Sequence, residues 1–121
     1  MYIVKMYYNI EKDDNVILFS VRSGDTFLDR FKGLMMKKGL GQTGGLYLTP
    51  CNQIHTFMMR FRIDVIFLSL EHEVLYIESN MKPCRVTPCV SGAVGVLETA
   101  PGFAGRAGIR AGDKLDFVKR G

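Results

Sequence analysis

Short apolar stretches, separated by polar, glycine or proline turns, recur along the whole chain and predict a mainly β fold. The spacing of the turns predicts about seven to nine strands in a compact, small β-barrel or sandwich. The predicted strands are residues 1–8, 16–21, 46–49, 61–70, 74–77, 93–98 and 114–118. Residues 16–21 are nearly all apolar, so we expect that strand to be buried on both faces.

One segment, near residues 25–36, has helical rather than strand periodicity. Phe27, Phe31 and Leu34 recur at the spacing of a single helix face, with charged residues between them. A short helical turn is also predicted near residues 102–107. These two segments add α structure to the predicted β fold, which is therefore α+β with β dominant.

The stretch from residue 54 to residue 68 is apolar enough for a core and yet carries several polar side chains. We interpret it as a strand with one buried side and one polar side. Because consecutive side chains of a strand project to opposite sides, the residues of this strand divide between two faces. One face would carry Phe61, Ile63, Val65 and Phe67, and the other Arg62, Asp64, Ile66 and Leu68.

Six polar residues are candidates for a binding face: His55, Thr56, Arg60, Asp64, Arg85 and Glu98. His55 could act as a general base or ligand, or could brace the core through a hydrogen bond. Asp64 and Glu98 stand in apolar strands, where a carboxylate must be paired or hydrogen-bonded. They could form a functional cluster with His55 and Thr56. Alternatively they are structural, paired with Arg62 or Arg85 or accepting backbone N–H groups.

The three cysteines leave several alternatives open. Cys51, Cys84 and Cys89 could form a zinc site with His55, although the spacing is looser than that of a strong zinc motif. A Cys51–Cys89 or Cys84–Cys89 disulfide is a further alternative. We favour free, buried thiols, because the number of cysteines is odd and no export signal is visible. No cofactor and no metal are therefore predicted.

Two glycine-containing segments resemble binding motifs without the context that those motifs require. Residues 39–45 contain GxGxxG, but a dinucleotide site needs a strand before the motif and a helix after it. Here the order is reversed, so we interpret the segment as a connector. Residues 104–115 look like the end of a PDZ domain, which binds peptides by strand addition. The rest of the chain does not support that interpretation.

Length and composition indicate one globular domain, residues 1–121, with 47% apolar and 23% charged residues. The net charge of +4 is scattered along the chain, so no nucleic-acid partner is predicted. No apolar run is long enough to span a membrane. Residues 1–8 lack the apolar centre of a signal peptide, so we expect a cytoplasmic protein.

Six short motifs occur in a fixed order: Gly33-Leu34-Met35, Gly44-Gly45-Leu46, residues 55–59 (HTFMM), residues 63–67 (IDVIF), residues 96–98 (VLE) and residues 108–113 (GIRAGD). In this order and at this spacing they resemble the DUF192 family of small bacterial and archaeal domains. The resemblance covers about residues 16–118. It implies a compact, mainly β fold with a short helix, and it implies no established activity.

These observations favour a non-enzymatic ligand- or protein-binding domain, with its polar face around His55 and Asp64. The expected partner is a small molecule or a protein. The first alternative is a hydrolase in which His55 acts with Asp64 or Glu98. The second is a zinc-stabilised domain. A meeting of His55 with a carboxylate in an open pocket would favour the hydrolase.

Overall fold

The computed structural model describes residues 6–24, 44–57 and 59–120. These residues form seven strands and one helical turn: β1 (Met6–Lys12), β2 (Asn15–Gly24), β3 (Gly45–Leu48), β4 (Ile63–Leu68), β5 (Val74–Met81), β6 (Gly95–Thr99), α1 (Phe103–Arg106) and β7 (Asp116–Lys119). The helix predicted near residues 25–36, the predicted connector before residue 44 and the first five residues lie outside this description.

The described strands form one sheet in the order β5-β4-β6-β3-β2-β1-β7. Neighbouring strands are antiparallel except for β2 and β3, which are parallel. The prediction of a mainly β fold is confirmed. The sheet is open and does not close into a barrel, although its two ends approach each other where Glu73 forms an isolated bridge with Lys114.

β4 lies next to the edge strand β5 and is covered on both faces. All six of its residues are buried. Ile63, Val65 and Phe67 belong to one apolar cluster, whereas Ile66 and Leu68 belong to another. The alternation predicted for this strand is therefore confirmed. Because neither face of β4 meets water, a polar residue within it must be satisfied by groups inside the protein.

Two other expectations about strands are wrong. The stretch from residue 54 to residue 68 is not a single strand, because regular strand structure begins only at Ile63. The described residues before it form bends, a turn and one isolated bridge, since their backbone groups bond to a distant loop. β2 is not buried on both faces, because Phe19 is 50% exposed and Val16 is 39% exposed.

The helical turn predicted near residues 102–107 is confirmed as α1. Gly102 precedes it with φ 85°, and Gly108 follows it with φ 68°. These left-handed conformations suit glycine, which has no Cβ to clash. Phe103 and Ala104 pack into the same apolar cluster as Ile66 and Leu68 of β4. In the described part of the chain, no helix has the length and apolarity required to span a membrane.

Candidate functional site

Asp64, in β4, is fully buried and accepts three backbone hydrogen bonds. Its Oδ1 atom accepts from the N–H of Asn80 at 2.8 Å and from the N–H of Gly102 at 3.0 Å. Its Oδ2 atom accepts from the N–H of Ala104 at 2.9 Å. Hydrogen bonds to an ionised acceptor are stronger than neutral ones, so these bonds satisfy the buried carboxylate. Asp64 therefore links β5 to α1.

The edge strand β5 carries a bulge opposite Asp64. The pairing register shifts between Ile63 and Val65, so that two residues of β5 stand opposite one residue of β4. One of the two is Asn80, whose φ of 53° lies in the left-handed region that asparagine tolerates better than most residues. The bond from Asn80 to Asp64 holds this extra residue in place.

Thr56 is fully buried and holds the loop that follows β5. Its Oγ1 atom donates to the carbonyl oxygen of Lys82 at 2.6 Å and accepts from the N–H of Arg85 at 2.9 Å. Its backbone N–H donates to the carbonyl oxygen of Arg85, and its carbonyl accepts from the N–H of Cys84, each at 2.9 Å. One side chain and its own peptide groups thus fix residues 82–85.

His55 and Arg60 are exposed. The backbone of His55 forms an isolated bridge with Val86, and its ring stacks on that of Phe57 with centroids 4.9 Å apart. His55 therefore lies at the surface beside residues 82–86. Arg60 lies in the bend that leads into β4.

Glu98 is fully buried in β6, but its side chain does not join that of Asp64. Glu98 pairs with Val65, whereas Asp64 pairs with Thr99. Paired residues project to the same face of a sheet and consecutive residues to opposite faces. The two carboxylates therefore lie on opposite faces of β4 and β6. The hydrogen bonds that Asp64 accepts from the described residues all come from backbone N–H groups, so Asp64 is not paired with His55.

The cysteines do not form the sites considered from the sequence. Cys51, Cys84, Cys89 and His55 all lie in the described part of the chain, where no group of three or more potential ligands is placed to hold a metal ion. The zinc alternative therefore has no site in this structure. Neither of the two disulfides considered is formed. The expectation that the thiols are buried is wrong, because Cys84 and Cys89 are exposed and Cys51 is only partly buried.

A surface cleft of about 330 Å³ lies between the end of β5 and the loop that follows it. Asp64 holds one wall through Asn80, and Thr56 holds the other through the backbone of Lys82 and Arg85. The predicted residues Asp64 and Thr56 thus stand behind the cleft, and Arg85 lines it. The complete lining is Glu78, Ser79, Asn80, Met81, Lys82, Arg85 and Val86.

The cleft carries charges of both signs. Lys82 and Arg85 are exposed, and neither forms an ion pair with another described residue. Glu78 also lines the cleft, and its Oε1 accepts a hydrogen bond from the hydroxyl of Tyr76 at 3.0 Å. This bond raises the pKa of Tyr76, because the hydroxyl proton is held by an anion.

Sequence reasoning did not include Glu78 or Lys82 in the candidate site. The strand predicted at residues 74–77 stops one residue before Glu78, and Lys82 lies between that strand and the next predicted one at residues 93–98. The spacing Lys82-x-x-Arg85 in a loop with two prolines was the one available signal, since loops positioned by a rigid scaffold often carry function.

The fold and the site together define a mainly β protein, built on an open sheet with a polar cleft beside its edge strand. The model of the DUF192 family, described as "Uncharacterized ACR", matches residues 8–117. The chain belongs to the DUF192 family, as its motifs predicted.

Two archaeal relatives are named UPF0127 proteins. The chain is 31% identical over 102 residues to one from Thermococcus sibiricus, a match that covers 80% of this chain and 65% of that protein. It is 30% identical over 106 residues to one from Pyrococcus furiosus, covering 84% of this chain and 89% of the relative. The chain therefore spans slightly less than two thirds of the first relative and most of the second.

Solved structures share the fold. A protein of unknown function from Novosphingobium aromaticivorans superposes with a TM-score of 0.74 at 26% identity, over 93% of this chain and 84% of that one. A candidate transcription regulator from Sinorhizobium meliloti superposes with a TM-score of 0.75 at 19% identity, over 97% and 96% of the two chains. At that identity the second likeness shows the fold alone.

Proposed function

We propose that this protein is a non-enzymatic binding domain that holds a small molecule with an anionic group in the cleft beside β5. The observation that carries the proposal is the pair of exposed cations, Lys82 and Arg85, on one wall of a cleft of about 330 Å³. Ligand pockets commonly have volumes of roughly 300–1,000 Å³, so the cleft suits a small molecule. Arginine and lysine donate charge-assisted hydrogen bonds to carboxylates and phosphates.

The backbone around the cleft supports binding because it is fixed before a ligand arrives. Thr56 bonds to the loop on one side, and Asp64 bonds to the bulge on the other. Preorganised walls lower the entropic cost of ordering groups on binding. In this proposal Arg85 contacts the ligand, Thr56 and Asp64 position the walls, and His55 flanks the loop. Arg60 and Glu98 have no assigned role.

The proposal favours binding over hydrolysis for a geometric reason. A general base must lie within hydrogen-bond reach of the group that it serves. Asp64 is buried and its carboxylate is bonded to three backbone N–H groups, so it is not presented to the cleft. The absence of a nucleic-acid partner and the cytoplasmic location, both predicted from the sequence, remain predictions.

Titration of ¹⁵N-labelled protein with sodium acetate and, separately, with inorganic phosphate tests the proposal. Sodium chloride at equal ionic strength is the reference. We expect saturable shifts of the amide signals of residues 78–82 and 84–86, and we expect them to disappear in the double variant Lys82→Ala/Arg85→Ala. The double variant Arg110→Ala/Lys119→Ala is the matched control, because it removes the same charge from exposed positions outside the cleft. Shifts that do not saturate, or that survive the first double variant, would refute the proposal.

A further inference from the structure

We infer that the natural ligand of this cleft is a small zwitterion of about dipeptide size. Its cationic end would lie at Glu78, and its anionic end at Lys82 and Arg85. The inference rests on the proposed function, because it assigns a ligand class to the same site. It uses one feature that the proposed function leaves out, which is the carboxylate of Glu78, a further lining residue of the cleft.

Glu78 is held in an orientation suited to a cationic ligand group. The hydroxyl of Tyr76 donates to Oε1 at 3.0 Å, which fixes the carboxylate on the surface of β5. Among the described residues, Oε2 accepts no hydrogen bond, so it remains available for a donor from a ligand. An ammonium group supplies three such donors and carries the complementary charge.

The distance along β5 matches the size of the inferred ligand. Glu78 and Lys82 are four residues apart, which places their Cα atoms at most about 13 Å apart in an extended strand. The bulge at Asn80 shortens this span. Two extended residues cover roughly 7 Å, so the charged ends of a dipeptide can meet both sites together.

The size and the apolar part of the cleft favour the same class. A cleft of about 330 Å³ lies at the lower end of the roughly 300–1,000 Å³ range of ligand sites, which disfavours a long polymer. Val86 lines the cleft and is 53% exposed, so it offers an apolar surface to the carbon atoms between the two charges.

Three compounds of nearly equal size measure the contribution of each charged end to binding. Glycylglycine has both ends, N-acetylglycylglycine keeps only the anionic end, and glycylglycinamide keeps only the cationic end. Dissociation constants are measured at neutral pH by titration of the ¹⁵N-labelled protein. We expect glycylglycine to bind about tenfold more tightly than either derivative, since each lost end removes one charge-assisted contact.

Two variants locate the cationic end. Glu78→Gln keeps an acceptor for Tyr76 and removes the charge. It should therefore weaken the binding of glycylglycine about tenfold and leave the binding of N-acetylglycylglycine unchanged. Glu71→Gln, at an exposed turn position outside the cleft, should change neither. If N-acetylglycylglycine binds as tightly as glycylglycine, the inference is overturned and the proposed anion site stands. If none of the three compounds binds, both are overturned.

Discussion

The buried carboxylate of Asp64 accepts a hydrogen bond at 2.9 Å from the backbone N–H of Ala104, 40 residues further along the chain. The first N–H groups of a helix have no partner within the helix and need one from elsewhere. The N-cap residue of α1, Gly102, has no side chain to supply that partner, and the first turn contains no acidic residue. Asp64 supplies the missing acceptor from a neighbouring strand, so β4 and α1 depend on each other.

Replacement of Asp64 by asparagine should therefore destabilise the protein strongly. The amide is uncharged and presents one acceptor where the carboxylate presents two, so at least one backbone N–H loses its partner. We expect the free energy of unfolding to fall by about 2–4 kcal/mol, because hydrogen bonds to charged groups contribute roughly 1.5–3 kcal/mol each and buried donors left unsatisfied add a cost. Urea denaturation measures the change.

Asp14→Asn is the matched control for this variant. Asp14 is exposed in the β1–β2 turn with φ 65°, a conformation that asparagine also tolerates. We expect a change within about 0.5 kcal/mol. Amide hydrogen exchange gives a local measure, in which Asn80, Gly102 and Ala104 should exchange faster in Asp64→Asn. Equal stability of the two variants would contradict the role assigned to Asp64.

Thr56 offers a second test, because its hydroxyl both donates and accepts. Thr56→Val keeps the shape but leaves the N–H of Arg85 without its acceptor, so the free energy of unfolding should fall by about 1–3 kcal/mol. Thr56→Ser keeps the hydroxyl, so it should lower the free energy of unfolding clearly less than Thr56→Val does. Urea denaturation of both variants gives the comparison. If serine destabilises the protein as much as valine does, the role assigned to the hydroxyl of Thr56 is contradicted.

Part of this architecture could be predicted from local sequence pattern. Alternation in β4 fixes which side chains share a face, because consecutive residues of any strand project to opposite sides. The turn at residues 102–107 could be predicted because its glycines are well suited to left-handed conformations. The six DUF192 motifs predicted the family.

The cleft could not be predicted in the same way, because its walls depend on contacts between distant residues. Thr56 and Arg85 lie 29 residues apart, and nothing in either neighbourhood encodes their pairing. The bulge at Asn80 depends on a carboxylate 16 residues away. The apolar run of β2 was misleading for a related reason, since burial of Phe19 depends on what packs over that face and not on the strand itself.

Gly95 provides a third prediction, which concerns the core. A Cβ atom at this position would overlap the ring and hydroxyl of Tyr47, which is itself buried on the neighbouring strand β3. Gly95→Ala should therefore lower the free energy of unfolding by about 1–3 kcal/mol, the usual range for overpacking a core.

Gly105→Ala is the control for Gly95→Ala, because no atom lies within 4 Å of a Cβ at that position in α1. It should be neutral or stabilising by up to about 1 kcal/mol, since alanine favours helix and restricts the unfolded chain. Thermal denaturation of both variants tests the pair. A double variant Gly95→Ala/Tyr47→Phe should recover part of the loss, because the hydroxyl is the nearest atom.

His72 joins the two ends of the open sheet. It lies in the β4–β5 turn, and its ring stacks on that of Phe117 in β7 with centroids 4.0 Å apart. Burial lowers the pKa of His72 below its ordinary value of 6.5, because the charged form loses water. Asp116 opposes this shift, and Lys114 adds to it. The neutral imidazole is therefore the form that the folded protein favours.

The lowered pKa predicts that acid weakens this contact. Since the unfolded chain binds a proton at His72 more readily, its contribution to stability is complete above about pH 6.5 and is lost as the pH falls towards the folded pKa. His72→Asn, which tolerates the φ of 64°, should reduce the loss of stability between pH 7.5 and 5.5. Urea denaturation at the two pH values decides, and an equal loss in wild type and His72→Asn would contradict the prediction.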